Sequence, residues 1–256
     1  MDPTTRSEPR RPIERPETGP LESVWLGRAD YRSTWALQKR LAAARAEGAI
    51  GDRLLLVEHP AVLTLGRQAD ETHVLASPAE LAQRGIELIR VERGGEVTYH
   101  GPGQLVAYPI VALSRRGLLL RPFVRALEAA MIETCAAFGV AAARREGHPG
   151  CWIAPDRAAP RKIGALGIRV ERGVSYHGIA LNVDPDLADF DLIDACGMPG
   201  VVSTSIAAER GEPGTLRSTD AVADAAGVFA RAFAAQIGVA LVETDLAATP
   251  ALAAVG

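Results

Sequence analysis

Apolar runs of strand length alternate along this chain with amphipathic segments of helix length, and this alternation narrows the possible folds. Two of the runs, Ile163–Val170 and Val174–Val183, are separated by the short turn Glu171–Gly173, which indicates a hairpin. The other strand-like runs are Leu54–Val57, Val62–Leu65, Ile86–Val91, Leu105–Leu113 and Trp152-Ile153. Hairpin-linked strands among well-separated helices predict a mixed α/β (α+β) domain, with helices packed on a mixed sheet.

Helices are predicted where apolar residues recur at helical spacing and a glycine follows. Arg32–Glu47 is such a segment, and it ends before Gly48. A shorter helix begins at Ser77–Glu80, whose order Ser-Pro-Ala-Glu is a capping box with proline at the first helical position. Two longer helices have the apolar stripes Phe123, Leu127, Met131, Cys135 and Phe138, and Val222, Ala226, Phe229, Phe233 and Ile237.

Composition divides the 256 residues into three parts. Residues 1–20 are dominated by Pro, Arg, Glu and Thr, with too few apolar side chains to repay the entropy of ordering, so we expect a disordered tail. Residues 246–256 are mostly alanine without an amphipathic stripe, and we expect a flexible tail there too. Residues 21–245 fit within the ~250 residues that one domain commonly reaches, and we expect one domain.

Charge and hydropathy argue against two classes of partner. A net charge of −3 offers no broad basic surface for phosphate backbones, so no nucleic acid is expected. No apolar run approaches the ~20 residues that cross a bilayer, and no membrane is expected. The first twenty residues also lack the apolar core of a signal peptide, so we expect a cytoplasmic protein.

The cysteines and histidines do not have the spacing of a metal site. Cys135, Cys151 and Cys196 include no C-x-x-C pair, which argues against a disulfide framework and against structural zinc, and the five histidines form no ligand pattern. Cys135 lies on an apolar helical stripe and Cys151 begins a strand, so both are predicted to be structural. Cys196 lies among glycine and proline, where a nucleophile could be displayed.

The segment Arg93–Gln104 (RGGEVTYHGPGQ) has four glycines and a proline between two predicted strands. Glycine lets the backbone approach a ligand closely, and the polar side chains interspersed here favour a binding site over a simple turn. His100 and His177 each occur as Tyr-His-Gly, and either could act as a base or order its own loop.

Small residues in Lys162–Ile168 and Ser175–Asn182 lie on neighbouring predicted strands. They could leave a groove for a slender apolar chain, or they could simply fit beneath a helix. Of the 28 basic residues only Lys39 and Lys162 are lysine. Lysine can lose its proton in a partly buried site and arginine effectively cannot, so Lys162 favours proton transfer or thiolate pairing over chance retention.

Together these motifs resemble those of the lipoyl(octanoyl) transferases, also called lipoate-protein ligase B. The matching pieces, which span about the middle half of the chain, are Arg93–Gln104, Gly150–Ile153, Lys162–Ile168, His177–Asn182 and Ile193–Gly197. The resemblance implies the fold shared by biotin and lipoate ligase catalytic domains, so that residues 21–245 would be an acyltransferase catalytic domain.

The activity that the resemblance implies is transfer of an octanoyl group from octanoyl-acyl carrier protein to a specific lysine of a lipoyl domain. The group would pass through a thioester on Cys196, with Lys162 as the second catalytic residue. The implied acceptors are the lipoyl domains of 2-oxoacid dehydrogenase E2 subunits and the glycine cleavage H protein. No cofactor and no metal are implied, and a monomer is expected. The implied substrate-binding residues are Arg93, Gly94, Gly95, Glu96, Val97, Thr98, Tyr99, His100, Ala165, Leu166, Gly167, Gly178, Ile179 and Ala180.

Both implied protein partners are usually acidic, and we therefore predict that Arg115, Arg116, Arg121 and Arg125 dock them, although these arginines could also form a solvated face. Three other functions fit parts of the pattern. An ATP-dependent lipoate or biotin ligase would share the architecture but would have no need of Cys196, and the phosphate-loop motif is absent. A lipoyl-domain amidotransferase would also use a cysteine thioester. A non-catalytic fatty-acyl binder or redox sensor would use the groove and the thiol without turnover.

Overall fold

A large mixed sheet forms the centre of the computed structural model, which describes residues 16–194 and 201–245. Within these residues, the strands are β1 (Leu21–Arg28), β2 (Asp52–Glu58), β3 (Val62–Leu65), β4 (Glu87–Arg90), β5 (Val97–His100), β6 (Gln104–Ile110), β7 (Ala143–Arg145), β8 (His148–Ile153), β9 (Arg161–Glu171), β10 (Val174–Asn182), β11 (Val202–Ser203) and β12 (Leu241–Thr244). The helices are α1 (Tyr31–Glu47), α2 (Pro78–Gln83), α3 (Leu113–Arg116), α4 (Leu120–Ala137), α5 (Ile206–Glu209) and α6 (Thr219–Gln236). Short 3-10 turns cover Glu71–His73 and Leu187–Leu192.

The large sheet has the strand order β12-β1-β2-β6-β10-β9-β8-β7, and β11 pairs with β9. Its pairs are parallel for β12 with β1, β1 with β2 and β11 with β9, and antiparallel elsewhere. A second sheet has the order β4-β3-β5. Parallel and antiparallel pairs in one sheet with packed helices confirm the predicted mixed α/β domain.

Helices cover both faces of the large sheet. On one side, α4 and α6 pack together on the sheet and bury Phe123, Phe229 and Phe233 with strand residues such as Leu105. On the other side, α1 buries Leu37 and Leu41 against β2, β6 and β10. The sheet is therefore sandwiched between helices, as its strongly apolar strands require.

Local capping signals fix the helix ends as the sequence predicts. The Asp30 carboxylate accepts from the Ser33 N–H at the start of α1, and Gly48 closes that helix with a left-handed φ of 80°. Ser77 and Glu80 form the predicted reciprocal capping box of α2. Gly139 follows α4 with a φ of 78°.

Cys135 of α4 and Cys151 of β8 are both fully buried in the core beneath the sheet, as predicted. Their thiols contact each other, and the hydrogen bond with Cys135 together with burial raises the pKa of the Cys151 thiol. The Cys151 thiol therefore stays protonated, and both buried cysteines act as small apolar groups in the core.

The sequence-based expectations miss five strands and two short helices of the structure. β5 lies inside the glycine-rich segment that we predicted as a loop, and β1, β7, β11, β12, α3 and α5 were not predicted. The predicted strand Leu105–Leu113 ends early at Ile110, because residues 113–116 form α3, which Gly117 closes with a φ of 65°.

A buried ionic network joins α1, β2 and α3 to the first described residues. The Asp52 carboxylate, which is completely buried, accepts from Arg45 Nε at 2.5 Å, from the Arg116 guanidinium and from the Ala112 N–H at 3.0 Å. Glu17 binds Arg45 from the far side.

Residues 16–20 fall within the predicted N-terminal tail, and the division of the chain into tail, domain and tail stays a prediction. In the described part of the chain, none of the helices combines the length and the apolar character needed to span a bilayer.

Candidate active site

Small residues on β9 and β10 face each other in register, as the groove hypothesis expected. Gly178 pairs with Gly167 and Ala180 pairs with Ala165. Over this groove lies a pocket of about 480 Å³, which we call the small-residue pocket. The residues that line it are Tyr31, Arg93, Gly95, Glu96, Val97, Thr98, His100, Val106, Tyr108, Ala165, Leu166, Gly167, His177, Gly178, Ile179 and Ala180.

Two glycines of the groove leave no room for a side chain. A Cβ at Gly178 would lie 1.9 Å from the Ala107 carbonyl oxygen, and one at Gly167 would lie 2.7 Å from the Gly94 carbonyl oxygen. The second contact brings the Arg93–Gly95 backbone onto β9, where the Gly94 N–H donates to Ile168 O at 3.1 Å. The two predicted glycine motifs therefore meet to form one wall of the pocket.

Arg93 is 7% exposed and holds that wall together. Its guanidinium donates to Thr64 O at 2.5 Å and to Thr64 Oγ1 at 2.9 Å on β3, and to the Gly94 carbonyl at 3.0 Å. These donors join the small sheet to the glycine segment. Arg93 thus positions the loop in addition to lining the pocket.

The closed end of the pocket is lined with uncharged polar side chains from four elements, α1, β5, β6 and β10. Tyr31 of α1 stacks on His100 with ring centroids 5.8 Å apart, and Tyr108 of β6 accompanies His177. Behind them His59 contacts the Tyr108 hydroxyl at 2.9 Å. Desolvation lowers the pKa of His100 and His177 to about 3 and that of His59 to about 4. The imidazoles are therefore neutral at physiological pH, and this end suits an uncharged ligand.

His177 adopts a left-handed backbone with a φ of 54°, which is rare for a side chain larger than glycine. Its N–H donates to the buried Gln38 Oε1 at 2.8 Å, so that α1 holds the strained residue in place. Strain of this kind persists only where the surroundings fix it and is concentrated at functional sites.

A chain of buried amides connects His100 to the segment around Lys162. His100 Nδ1 lies 2.8 Å from Gln104 Oε1, and Gln104 Nε2 donates to Asn182 Oδ1 at 2.9 Å. Asn182 in turn donates to Thr204 O at 2.8 Å, and the Thr204 N–H donates to Lys162 O at 2.9 Å. Gln104 and Asn182, the last residues of the motifs Arg93–Gln104 and His177–Asn182, are therefore both held in this buried hydrogen-bond chain.

Lys162 lies on β9 beside the open side of the pocket and is 7% exposed. Its Nζ is 5.2 Å from the centroid of the Trp152 ring, and the absence of a side chain at Gly150 leaves room for its Cε. One small cleft places Lys162 with Thr98, Ala165 and Ala180 of the pocket wall. A second, more open cleft places it with residues 94–96 and 147–149. Lys162 therefore stands between the pocket and the surface.

The remaining predicted site residues fall in three places. Gly94 lines the open cleft beside Lys162 and is not among the residues around the small-residue pocket. Tyr99 points to the opposite face of β5, where its hydroxyl binds Asp189. Cys196 lies outside the described residues. Tyr31, Val106 and Tyr108 line the pocket but were not predicted, because they belong to α1 and β6 and no motif in the sequence marks them.

The predicted arginine docking cluster is divided by the structure. Arg116 is 5% exposed in its side chain and is bonded to Asp52, so its assignment to a docking surface is wrong. Arg115 donates to Glu17 and to the Ala46 carbonyl. Arg121 and Arg125 are exposed at the start of α4, beside a cleft that shares His148 and Pro149 with the open cleft around Lys162.

Over residues 16–194 and 201–245, no group of acidic, histidine or cysteine side chains could hold a metal ion.

Comparison with known proteins identifies the family of this chain. The sequence profile of the lipoyl protein ligase A/B catalytic domain matches residues 30–224. The chain belongs to this family. The match confirms the predicted resemblance and spans every element from α1 to the first turns of α6, including the pocket and Lys162.

Members of the lipoyl protein ligase A/B family with similar sequences carry the name octanoyltransferase. The protein from Chloroflexus aurantiacus is 49% identical over 193 residues, which cover 75% of this chain and 85% of that one. The proteins from Acidobacterium capsulatum and Paraburkholderia xenovorans are 45% and 40% identical, over 85% and 90% of this chain and 92% and 91% of theirs.

Solved structures share the fold of the family at low sequence identity. Lipoate-protein ligase A bound with ATP superposes with a TM-score of 0.66 at 17% identity, covering 93% of this chain and 92% of that one. A bi-partite lipoate protein ligase from Thermoplasma acidophilum gives a TM-score of 0.60 at 16% identity, with coverage of 93% and 90%. The expected lipoate ligase fold is therefore confirmed.

Proposed function

We propose that this chain is an octanoyltransferase, which moves an octanoyl group from octanoyl-acyl carrier protein to a lysine of a lipoyl domain through a thioester on Cys196. The observation that carries the proposal is the groove of small residues, which begins beside Lys162 and ends at His177. Octanoyltransferases of 40–49% identity support the choice of acyl group.

The length of the groove fits an eight-carbon chain. From Ala165 to Ile168, the partner of His177, the strand advances by three residues, or ~10 Å. Single bonds of ~1.5 Å at ~111° advance ~1.25 Å each, so the seven C–C bonds of an extended octanoyl group span ~9 Å. The uncharged imidazoles and tyrosines at the closed end are compatible with the methyl end of such a chain.

The proposed reaction has two steps that balance without an external energy source. In the first, the Cys196 thiolate attacks the carbonyl carbon of the donor thioester, and the carrier leaves as a thiolate that takes up the proton Cys196 had given up. In the second, the lysine amine of the acceptor attacks the Cys196 thioester, an amide forms, and the Cys196 thiolate leaves. The amine must lose one proton in the second step, so the site needs a proton acceptor but no ATP.

Lys162 is proposed to supply that proton acceptor and to stabilise the Cys196 thiolate. Its burial beside Trp152 and its place between the pocket and the open cleft support this role. The open cleft is proposed to admit the reacting ends of the two protein substrates. The proposed acceptors are lipoyl domains of 2-oxoacid dehydrogenase E2 subunits and the glycine cleavage H protein. We propose a monomer that works in the cytoplasm.

Intact-mass analysis tests the proposal directly. Purified protein and its Cys196→Ala variant are mixed with octanoyl-acyl carrier protein without ATP. We expect an octanoyl adduct on the wild type alone, and we expect a lipoyl domain to discharge it. Modification of the lipoyl domain only when ATP and free octanoate are supplied would instead support a ligase, which is the activity named for the solved structure with ATP.

Alkylation kinetics test the role of Lys162. The rate at which iodoacetamide modifies Cys196 is measured against pH in the wild type and in Lys162→Ala. Loss of the ammonium is expected to move the midpoint of the profile to higher pH, because a nearby positive charge favours the thiolate. Superimposable profiles would reject the pairing.

A further inference from the structure

Strand β5 presents its two faces to different partners. Thr98 and His100 line the small-residue pocket, whereas Tyr99 points into a separate cluster that contains Leu63, Leu192 and Ile193. Tyr99 is 1% exposed, and its hydroxyl donates to Asp189 Oδ2 at 2.7 Å. Its ring also meets Phe190 edge-on, with centroids 5.3 Å apart.

Asp189 and Phe190 belong to residues 187–194, which we call the approach segment because Cys196 follows it by two positions. The approach segment is bonded along its length to the chain beside the small sheet. Leu192 O accepts from the Leu75 N–H at 2.9 Å, and the Asp194 N–H donates to His73 O at 2.8 Å. It is therefore an ordered support immediately before the proposed nucleophile.

Phe190 connects this support to the catalytic cleft. It lines the small cleft together with Thr98 and Lys162 while its ring contacts Tyr99. A glycine in the motif makes the arrangement possible, since a Cβ at Gly101 would lie 2.0 Å from the Tyr99 hydroxyl oxygen. The strand that lines the pocket thus carries, on its back, the contact that holds the approach segment.

We infer that Tyr99 is a positioning residue for the transfer reaction: its hydrogen bond to Asp189 fixes on the back of β5 the approach segment, which precedes the proposed nucleophile Cys196 in the sequence. The inference rests on the proposed function. Tyr99 does not line the small-residue pocket, so it acts through Asp189 and not on the substrate.

The bond has the properties that such a role requires. Burial raises the pKa of Tyr99 far above its ordinary value, so that the phenol remains a donor at all physiological pH values. Asp189 has a second partner in Arg84 Nη1 at 3.1 Å, but that arginine side chain is 50% exposed. The buried phenol is therefore the better fixed of the two contacts.

Single-turnover acylation separates positioning from binding. Tyr99→Phe removes the hydroxyl and keeps the ring, and we expect acylation of Cys196 by octanoyl-acyl carrier protein to slow by about 10- to 100-fold, because a displacement of ~1 Å between reacting atoms has effects of this size. The KM for the donor is expected to stay within about threefold of the wild type, since the pocket face of β5 is unchanged.

Tyr176→Phe is the matched control. Tyr176 is a buried tyrosine on β10 whose hydroxyl also donates to a carboxylate, that of Glu171 at 3.1 Å, and it has no contact with the approach segment. Its acylation rate is expected to match the wild type within about twofold, and thermal unfolding of the two Phe variants should show similar losses of stability. Equal slowing in both variants would mean a general effect of hydroxyl loss and would overturn the inference.

Asp189 provides a conservative rescue. Asp189→Asn keeps an oxygen that can accept from Tyr99, and acylation is expected within about threefold of the wild type, whereas Asp189→Leu should be as slow as Tyr99→Phe. A wild-type acylation rate in Tyr99→Phe, or a fully slow Asp189→Asn, would overturn the role of the hydroxyl. No octanoyl adduct on the wild type itself would instead remove the proposed function.

Discussion

Gly178 is the residue at which the pocket and the stability of the sheet are most directly linked. A methyl group there would meet the Ala107 carbonyl oxygen at 1.9 Å and Pro109 Cδ at 2.8 Å, both of them in the paired strand β6. We predict that Gly178→Ala lowers the free energy of unfolding by about 1–3 kcal/mol, the usual cost of overpacking. Urea unfolding followed by circular dichroism measures it.

Gly227 offers the opposite case for the same substitution. It lies inside α6, and a Cβ there would meet only the Arg231 guanidinium, at 3.4 Å. Gly227→Ala is expected to raise the free energy of unfolding by about 0.5–1 kcal/mol, because alanine favours helix. A Gly178→Ala protein as stable as the wild type would show that β6 moves aside easily.

The buried histidines predict a loss of stability in mild acid. Burial lowers the pKa of His59 to about 4 and of His100 and His177 to about 3, so the folded protein keeps all three neutral at pH 5. In the unfolded chain the imidazole pKa values are ~6.5, so at pH 5 the unfolded chain binds protons that the folded protein does not bind. The free energy of unfolding is therefore unaffected by these histidines above about pH 6.5 and falls as the pH drops toward 4. At pH 5 the loss is about 1–2 kcal/mol per histidine.

His59→Gln tests this contribution without altering the pocket wall. The wild type and the variant are unfolded in urea at pH 7 and at pH 5, and the difference between the two pH values is compared. The variant is expected to lose about 1–2 kcal/mol less than the wild type over this interval. The same loss in both proteins would contradict the lowered pKa of His59.

Elements whose signals are local could be predicted from the sequence, and those that depend on distant partners could not. α1, α2, α4 and α6 have their caps and apolar stripes within one continuous stretch of sequence. β5 is surrounded by glycines and is a strand only because β3 pairs with it, from Val62 opposite His100 to Leu65 opposite Val97. The residues of the site divide in the same way. The glycine motifs and Lys162 could be singled out from the sequence, but Tyr31 and Tyr108 reach the pocket only through the packing of α1 and β6.

The Asp52 network joins elements that are distant in sequence, and it should contribute strongly to stability. Asp52→Asn would leave Arg45 and Arg116 without their shared charge in a buried site. We predict a loss of about 3–5 kcal/mol in the free energy of unfolding, the cost of breaking a buried ion pair. Denaturant unfolding gives the value.

Glu243→Gln is the corresponding change at the surface. Glu243 is 66% exposed, and its carboxylate lies 3.6 Å from Arg231. An exposed pair contributes about 0–1 kcal/mol, so this variant should stay close to the wild type. Similar losses for Asp52→Asn and Glu243→Gln would show that the network adds little.

At the scale of the whole molecule, we predict that the exposed arginines at the start of α4 form a docking surface for an acidic protein. Arg121 and Arg125 border the same cleft as Arg145, and this cleft shares residues 147–149 with the one that contains Lys162. We predict that Arg121→Glu with Arg145→Glu raises the KM for octanoyl-acyl carrier protein by about tenfold at low salt, because complementary charge speeds association. The effect should shrink as salt is added.

Steady-state kinetics with two donors isolates the docking step. The neutral thioester octanoyl-N-acetylcysteamine lacks the protein, so its KM should not change in the double variant. Arg231→Glu, at a 63% exposed position on α6, is the control for a reversed charge elsewhere. An unchanged KM for the carrier protein in the double variant would exclude this surface as its docking site.

The pairing of β12 with β1 has a consequence for how the chain is made. β1 pairs with β2 on one side and with β12 on the other, and β12 emerges from the ribosome about two hundred positions later. Thr244 of β12 donates to Ser23 O across 221 positions. Until then the backbone of β1 is an open edge of the kind that recruits other strands. A nascent chain stalled after α6 would therefore have all of its pocket strands but an uncovered β1 edge. Pairing with the four residues of β12 then protects the protein against self-association through β1.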